Sequence, residues 1–103
     1  MTYVADAVDA TVAALEAPCG VYNVGGGTRA TVDEVLGAVR RVTGLPVEAR
    51  YGPAAPGDVL STWADSGLAA RSLGYRPRVG LEEGIAAQAG WAANLQNLAG
   101  VPA

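Results

Sequence analysis

Few side chains in this sequence of 103 residues could carry acid–base or nucleophilic chemistry. There is no histidine, and all seven basic residues are arginines, so lysine is absent as well. Ser–His–Asp and Cys–His catalysis, histidine-containing metal sites and Schiff-base chemistry are therefore excluded within this chain. The remaining candidates are carboxylates and phenols: Asp58, Asp65, Glu48, Tyr3, Tyr22, Tyr51 and Tyr75. A catalyst built from this set would depend mainly on holding a substrate in a reactive shape.

A glycine-rich turn follows the second β-rich run of the sequence. Residues 25–30 read Gly-Gly-Gly-Thr-Arg-Ala and fit the pattern G-x-G-x-x-A, which in dinucleotide-binding folds brings a pyrophosphate onto the start of a helix. Here the next helix is predicted to start only at Thr31, and Glu48 falls inside the following predicted strand rather than after it. The pattern therefore indicates a plain glycine turn, and we expect neither a cofactor nor a metal to bind this chain alone.

Two short motifs further along the chain carry polar residues that could contact a ligand. Residues 56–59 read Pro-Gly-Asp-Val, which is typical of a turn whose aspartate bonds its own backbone. The same carboxylate, Asp58, could instead accept hydrogen bonds from sugar hydroxyls. Residues 62–65 read Thr-Trp-Ala-Asp, which predicts a helix start with Asp65 as the N-cap. Both interpretations of Asp58 stay open at the level of sequence.

The elements that must position these residues alternate between β-rich and helical patterns. Three short runs are expected to be strands: residues 2–4, 21–24 and 47–51. Four helices are expected to start near Asp6, Thr31, Asp65 and Leu81. Thr31 and Glu34 have the spacing of a capping box, and Gly44 and Gly74 follow predicted helices. The order β-α-β-α-β-α-α predicts a single α/β domain over residues 1–103 with a short, partly parallel sheet.

Composition limits the expected binding partners and cellular location of the protein. The formal net charge is −3, and an acidic chain lacks the electrostatic footprint for nucleic acid. No signal peptide and no run of about 18 apolar residues is evident, so a membrane is not an expected partner. The single cysteine, Cys19, would need another chain to form a disulfide. A reduced, cytoplasmic location is therefore expected.

An ordered series of segments resembles a known enzyme family. The segments are Tyr-Val-Ala-Asp-Ala-Val-Asp-Ala at 3–10, Val-Tyr-Asn-Val-Gly-Gly-Gly at 21–27, Thr-Val-Asp-Glu-Val at 31–35, Pro-Gly-Asp-Val at 56–59, Ala-Asp at 64–65, Leu-Gly-Tyr-Arg-Pro at 73–77 and Leu-Glu-Glu-Gly at 81–84. In this order and spacing they are similar to the C-terminal, substrate-binding part of extended short-chain dehydrogenase/reductases. The resemblance is to the NAD-dependent sugar-nucleotide epimerases and dehydratases, of the UDP-glucose 4-epimerase type.

The resemblance implies a function divided between two domains. The family binds NAD in an N-terminal Rossmann domain and a nucleotide-sugar in a small C-terminal domain, and reshapes the sugar through a 4-keto intermediate. The family's NAD loop and Tyr-x-x-x-Lys couple have no counterpart here. Of two arginines that grip the substrate diphosphate, one would precede Thr2 and the other is replaced by Ala55. Asp58 resembles the ribose-binding aspartate, and Thr62 and Tyr3 complete our candidate substrate-binding residues.

Three functions remain open. The first is the substrate-side domain of a nucleotide-sugar epimerase or dehydratase that is not competent for the reaction alone. The second is a free-standing domain of the same ancestry that binds or transforms an apolar small molecule, for example by cyclising it. Ala55 favours the second, because an epimerase would be expected to keep an arginine there. The third is an interaction module that pairs with a separate Rossmann-type subunit.

In the family that the sequence resembles, one apolar face of this domain packs against the Rossmann domain. That domain has no counterpart here, so we expect the face to be exposed and to form a homodimer. The residues of this face are Val4, Val8, Val12, Leu15, Val21 and Val24. Large contiguous apolar patches are rare on soluble monomers, and a net charge of −3 is too small to keep two such faces apart. A two-fold dimer would bury the face against its own copy. The alternative is a monomer in which the helix from Leu81 to Leu98 covers it.

Overall fold

The structure is a computed structural model that describes residues 1–99. Its helices are α1 (Val4–Ala13), a short 3-10 helix (Ala14–Glu16), α2 (Val32–Thr43), α3 (Gly67–Leu73) and α4 (Leu81–Ala99). The described residues form two compact units. One unit consists of Met1–Arg29 and Arg50–Val79, and the other of Ala30–Ala49 with the residues from Gly80 onward. The single domain expected over residues 1–103 stays a prediction.

The first unit is organised around the contact between α1 and α3. Ala10 of α1 and Ala69 of α3 are buried together with Tyr75. Because alanine side chains are small, the two helices can approach closely. Tyr22, Val24 and Leu73 pack around this centre as half-buried residues. The unit therefore has a small core, and its outer helix surface is left to solvent.

Asp6 has a role different from the one that its sequence context predicts. It was expected to cap the first helix, but α1 begins at Val4 and the N-cap position is Tyr3. Asp6 lies within the helix and is only 3% exposed. Its carboxylate oxygens accept hydrogen bonds from the backbone N–H groups of Arg78 (3.1 Å) and Val79 (3.2 Å). A carboxylate buried in a helix needs such donors, and here a distant segment supplies them.

The second unit pairs α2 with α4, and the predicted start and end of α2 are both found in the structure. The capping box is confirmed: the Thr31 hydroxyl accepts from the N–H of Glu34, and the Glu34 carboxylate accepts from the N–H of Thr31. Gly44 ends α2 with a φ of +66°, as expected for a left-handed C-terminal residue. Ala38 of α2 is fully buried. The side chain of Arg41 in α2 bonds to Glu82 in α4 across the pair.

The predicted sheet is the main correction to the fold. Residues 1–99 contain no β-strand, so the strands expected at residues 2–4, 21–24 and 47–51 are not formed as such. A strand exists only through hydrogen bonds to a neighbouring strand, whereas β propensity describes how well a side chain suits that setting. Residues 21–24 have the propensity but no ladder partner within the described part of the chain.

The length and charge of the helices decide whether any of them could cross a membrane. The longest of them, α4, has 19 residues and two glutamates in its first turn. Neither α4 nor any other helix within residues 1–99 combines enough length and apolar character to cross a bilayer.

Candidate functional site

Two adjoining cavities open in the unit formed by Met1–Arg29 and Arg50–Val79, each with a volume of about 460 Å³. Six residues line both cavities: Gly25, Gly27, Arg29, Trp63, Ala64 and Asp65. Tyr75, Arg76 and Pro77 belong to the first cavity only. Thr2, Asn23 and Thr62 belong to the second only. These volumes are of the size that accommodates small-molecule ligands.

The glycine turn forms the wall that the two cavities share, and close packing explains its composition. A Cβ atom on Gly26 would lie 1.9 Å from the carbonyl oxygen of Met1, so no larger residue fits there. A Cβ atom on Gly27 would lie 2.8 Å from Cγ of Pro77, and Gly27 also has a φ of +76°. Side chains are strained at that backbone conformation. The glycines thus allow two other segments to pack directly against the turn.

Tyr75 anchors the glycine turn to the core of the unit. The side chain is only 5% exposed, and its hydroxyl donates a 2.6 Å hydrogen bond to the carbonyl oxygen of Gly25. Burial, and to a lesser extent the charge of Asp6, raise the pKa of Tyr75 above the usual tyrosine value. Tyr75 is therefore a neutral hydrogen-bond donor near neutral pH. Its position makes it a structural support of the first cavity.

Arg29 and Trp63 meet at the wall that both cavities share. The guanidinium carbon of Arg29 lies 3.7 Å from the centre of the Trp63 ring. This is close enough for a cation–π contact between the positive guanidinium and the electron-rich ring face. Trp63 remains 63% exposed, so the pair is open to solvent and to ligands. The contact holds a positive charge beside the cavities.

Asp65 connects the cavities to α3. Its Oδ1 atom accepts a 2.9 Å hydrogen bond from the N–H of Gly67, the first residue of α3. The prediction of Asp65 as the N-cap residue is wrong by one position, although its carboxylate does bond to the first residue of the helix. The N-cap position itself is Ser66, which makes no side-chain cap bond. Asp65 thus fixes the start of α3 while facing both cavities.

The three sequence-predicted site residues are not gathered at one point. Thr62 lines the second cavity. Asp58 lies in an exposed turn, where its N–H donates to the carbonyl of Ala55 (3.1 Å) and its carboxylate accepts from the N–H of Val59 (2.9 Å). Tyr3 is half-buried at the start of α1, and it lines neither cavity, nor does Asp58. The contacts of Asp58 agree with the turn interpretation.

Sequence reasoning missed the residues that surround the cavities most closely. Arg29 was read only as part of the glycine turn, and Trp63 only as part of a helix start. The arginines are spread along the sequence, yet the first cavity brings Arg29 and Arg76 together. The sequence feature that could have pointed to these cavity residues was the presence of Arg29 and Trp63 in two recognisable motifs. Nothing in their spacing indicated that the two motifs would meet.

The arrangement suits binding better than acid–base catalysis. The charged side chains at the first cavity are one carboxylate, Asp65, and two arginines, Arg29 and Arg76. The carboxylate is engaged in a hydrogen bond to α3, and arginine does not exchange protons near neutral pH. Within residues 1–99, no three acidic or cysteine side chains converge in a way that could hold a metal ion. The cavities can therefore receive an apolar group and an anion.

Comparison with known proteins adds evidence from outside the chain. No family profile matches the sequence. The chain is 36% identical over 86 residues to the UDP-glucose 4-epimerase of Bacillus subtilis (strain 168), which covers 79% of this chain and 25% of that protein. It is 30% identical over 99 residues to a bifunctional UDP-glucose and UDP-xylose 4-epimerase of Pisum sativum, which covers 89% of this chain and 28% of that one.

A solved structure has the same fold over nearly the whole chain. It is a UDP-glucuronic acid 4-epimerase mutant from Bacillus cereus, in complex with UDP-4-deoxy-4-fluoro-glucuronic acid and NAD. The TM-score is 0.83 at 31% identity, covering 91% of this chain and 31% of the other. The four helices thus match part of an α/β epimerase fold. The chain spans only 25%, 28% and 31% of the three proteins compared.

Proposed function

We propose that this chain, which belongs to the NAD-dependent epimerase family of UDP-glucose and UDP-glucuronate 4-epimerases, is the substrate-side domain of such an enzyme and is not competent for the reaction alone. One observation carries this proposal: the chain matches 31% of a UDP-sugar epimerase and matches it with a TM-score of 0.83. The side chains at the first cavity support it, because the charged ones are two arginines and one carboxylate that already bonds to the start of α3.

Asp58, Thr62 and Tyr3 are the proposed substrate-binding residues. Thr62 is supported by its place in the wall of the second cavity. Asp58 lies in an exposed turn four residues before Thr62, so its carboxylate is open to a ligand. Tyr3 directly follows Thr2, which lines the same cavity as Thr62. Removal of one residue of this set should weaken binding of a nucleotide-sugar and leave the fold intact.

We also propose that NAD does not bind to this chain alone. Pyrophosphate binding at a helix start requires free backbone N–H groups. At the start of α2 the N–H groups of Thr31 and Glu34 are already used within the capping box. The Glu34 carboxylate adds a negative charge at the same place, which disfavours a phosphate. The start of α2 is therefore a poor anion site.

The first cavity favours a second candidate function, in which the chain binds or transforms an apolar small molecule. Its walls include Trp63, Ala70, Tyr75 and Pro77, which offer mostly apolar surface. Ala55 stands where the resemblance places a phosphate-binding arginine, so the exposed turn carries no positive charge for a diphosphate. A ligand with a large apolar part would use this cavity better than a sugar.

The outer face of α1 favours association with another protein surface, and we propose a homodimer. Val4, Val8 and Val12 lie on this helix and are all exposed, and Leu15 beyond it is 84% exposed. Val21 in the same unit is exposed as well, whereas Val24, which was also expected on this face, packs against the core of the unit. The same face would serve the third function, an interaction module that pairs with a Rossmann-type subunit.

Titration followed by NMR tests the proposed function. The chain is titrated with UDP-glucose, UDP-glucuronate, NAD and a neutral apolar probe such as N-phenyl-1-naphthylamine. UDP-sugars should shift amide signals around Thr62 with a millimolar dissociation constant, and no epimer should accumulate. Asp58→Asn should weaken UDP-sugar binding, whereas Asp9→Asn on exposed helix surface should not. NAD binding with a micromolar constant, or epimer formation by the chain alone, would contradict the proposal. Signals that respond only to the apolar probe would favour the second function.

A further inference from the structure

Arg29 is the arginine that faces both cavities, and its contact with Trp63 leaves its hydrogen-bond donors available. The guanidinium carbon lies 3.7 Å from the ring centre, so the contact uses the face of the guanidinium group. The five N–H donors of arginine lie in the plane of that group and point away from its face. Within residues 1–99 the Arg29 side chain forms neither a hydrogen bond nor an ion pair.

Stacking on Trp63 also restricts where the charge of Arg29 can be. A free arginine side chain loses rotamer entropy when it binds an anion. An arginine already held against a ring has lost part of that freedom before the ligand arrives, so less is lost on binding. Trp63 thus acts as a positioning residue for Arg29.

The chain offers few other cations at this place. Residues 51–70, which include the exposed turn and Thr62, contain no arginine or lysine. The first cavity adds Arg76, and Arg29 is the arginine of the second. An anionic group bound in the second cavity would therefore find its positive partner in Arg29.

We propose that Arg29, positioned by Trp63, binds the phosphate of the nucleotide in this chain, a role that Ala55 cannot fill. The inference rests on the proposed function, because it assumes a nucleotide-sugar as ligand. The planar guanidinium can donate two parallel hydrogen bonds to a phosphate. The phosphate would lie at the wall shared by both cavities.

Comparison of UDP with uridine tests the inference in the full chain. Both probes are titrated by NMR into the wild type, Arg29→Gln, Trp63→Leu, Trp63→Phe and Arg50→Gln. Arg50 is an exposed arginine of the same unit that lines neither cavity, so it is the matched control. Arg29 and Trp63 are exposed, so these variants should fold, and their amide spectra verify this.

The wild type should bind UDP more tightly than uridine. Arg29→Gln should weaken UDP binding by about tenfold or more and leave uridine binding unchanged. Trp63→Leu should weaken UDP binding by a smaller factor, and Trp63→Phe should restore most of it, since phenylalanine keeps a ring face for the guanidinium. Arg50→Gln should match the wild type.

Three outcomes overturn the inference, and they are distinguishable from one another. If the wild type binds UDP and uridine equally, no phosphate contact exists and the proposed function still stands. If Arg29→Gln and Arg50→Gln weaken UDP binding equally, the effect is one of net charge and Arg29 has no special place. If neither UDP nor any UDP-sugar binds in the millimolar range, the proposed function fails together with the inference.

Discussion

The carboxylate of Asp6 accepts a hydrogen bond of 3.2 Å from the backbone N–H of Val79, a residue 73 positions further along the chain. The other carboxylate oxygen accepts from the N–H of Arg78 at 3.1 Å. One buried side chain of α1 thus satisfies two consecutive backbone donors of a segment without regular structure. This segment directly follows Tyr75 and Pro77, which line the first cavity. By binding residues 78 and 79, Asp6 helps to fix the position of that cavity wall.

Removal of the Asp6 carboxylate should destabilise the chain. Asp6→Ala leaves two backbone N–H groups without their acceptor, which should lower the free energy of unfolding by about 2–4 kcal/mol. Asp6→Asn keeps one acceptor oxygen and should cost about half as much. Urea unfolding followed by circular dichroism measures both. Asp9→Ala, which removes an exposed carboxylate 3.9 Å from Arg78, is the control and should change stability by less than about 0.5 kcal/mol. Equal effects at positions 6 and 9 would contradict the assigned role of Asp6.

Tyr75 should make stability depend on alkaline pH. Its pKa is raised in the folded chain, first by burial and then by Asp6, so the folded state holds the phenol proton to higher pH than the unfolded state does. The stabilisation is complete below the usual tyrosine pKa of about 10 and is lost as pH rises through the folded value. Tyr75→Phe should cost about 1 kcal/mol near neutral pH, through the lost bond to Gly25, and should flatten the alkaline decline. Unfolding curves at a series of pH values measure this, and an unchanged decline in the variant would show that another group causes it.

Glu34 should make the start of α2 sensitive to acid. Hydrogen bonds from the backbone N–H of Thr31 and then from its hydroxyl lower the pKa of Glu34 in the folded chain. A lowered pKa means that the stabilisation is present above the usual value of 4.5 and is lost as pH falls through the folded value. The protection factors of the amides in the first turn of α2, which compare their exchange with that of an unfolded chain at the same pH, should fall over this range in the wild type. Glu34→Gln should not show the change, whereas Glu83→Gln in the first turn of α4 should retain it.

The exposed face of α1 should hold two copies together. Size-exclusion chromatography with light scattering should give a mass of about twice the 10.4 kDa of the chain. Val12 is 60% exposed, so Val12→Glu should yield the monomer with little change in helix content. Ser61→Glu, a change of equal charge at an exposed position outside α1, should leave the mass unchanged. A wild-type mass near that of one chain, independent of concentration, would rule out the dimer.

Local features of the fold were predictable because residues a few positions apart determine them. Thr31 and Glu34 are separated by three positions, and their reciprocal hydrogen bonds need only the first turn of a helix. Gly44 and Gly74 end helices with positive φ angles, as glycine permits at no steric cost. The start of α4 at Leu81 follows from its apolar spacing and its acidic first turn. The ordered motifs likewise indicated the enzyme family.

The sheet and the cavities depended on contacts between distant residues, which the sequence pattern does not encode. The β-rich run at residues 21–24 has the composition of a strand, but a strand needs a hydrogen-bonded neighbour, and the described residues supply none. Asp6 is a residue type that often caps helices. In the structure it is buried instead, and its carboxylate accepts hydrogen bonds from the N–H groups of Arg78 and Val79. The sequence by itself determined both ends of α2 and the start of α4, because those depend on neighbours within one or two turns. Only the tertiary structure decided that Arg29 lies on Trp63, because that contact requires two separate loops to be brought together by the packing of α1, α3 and Tyr75.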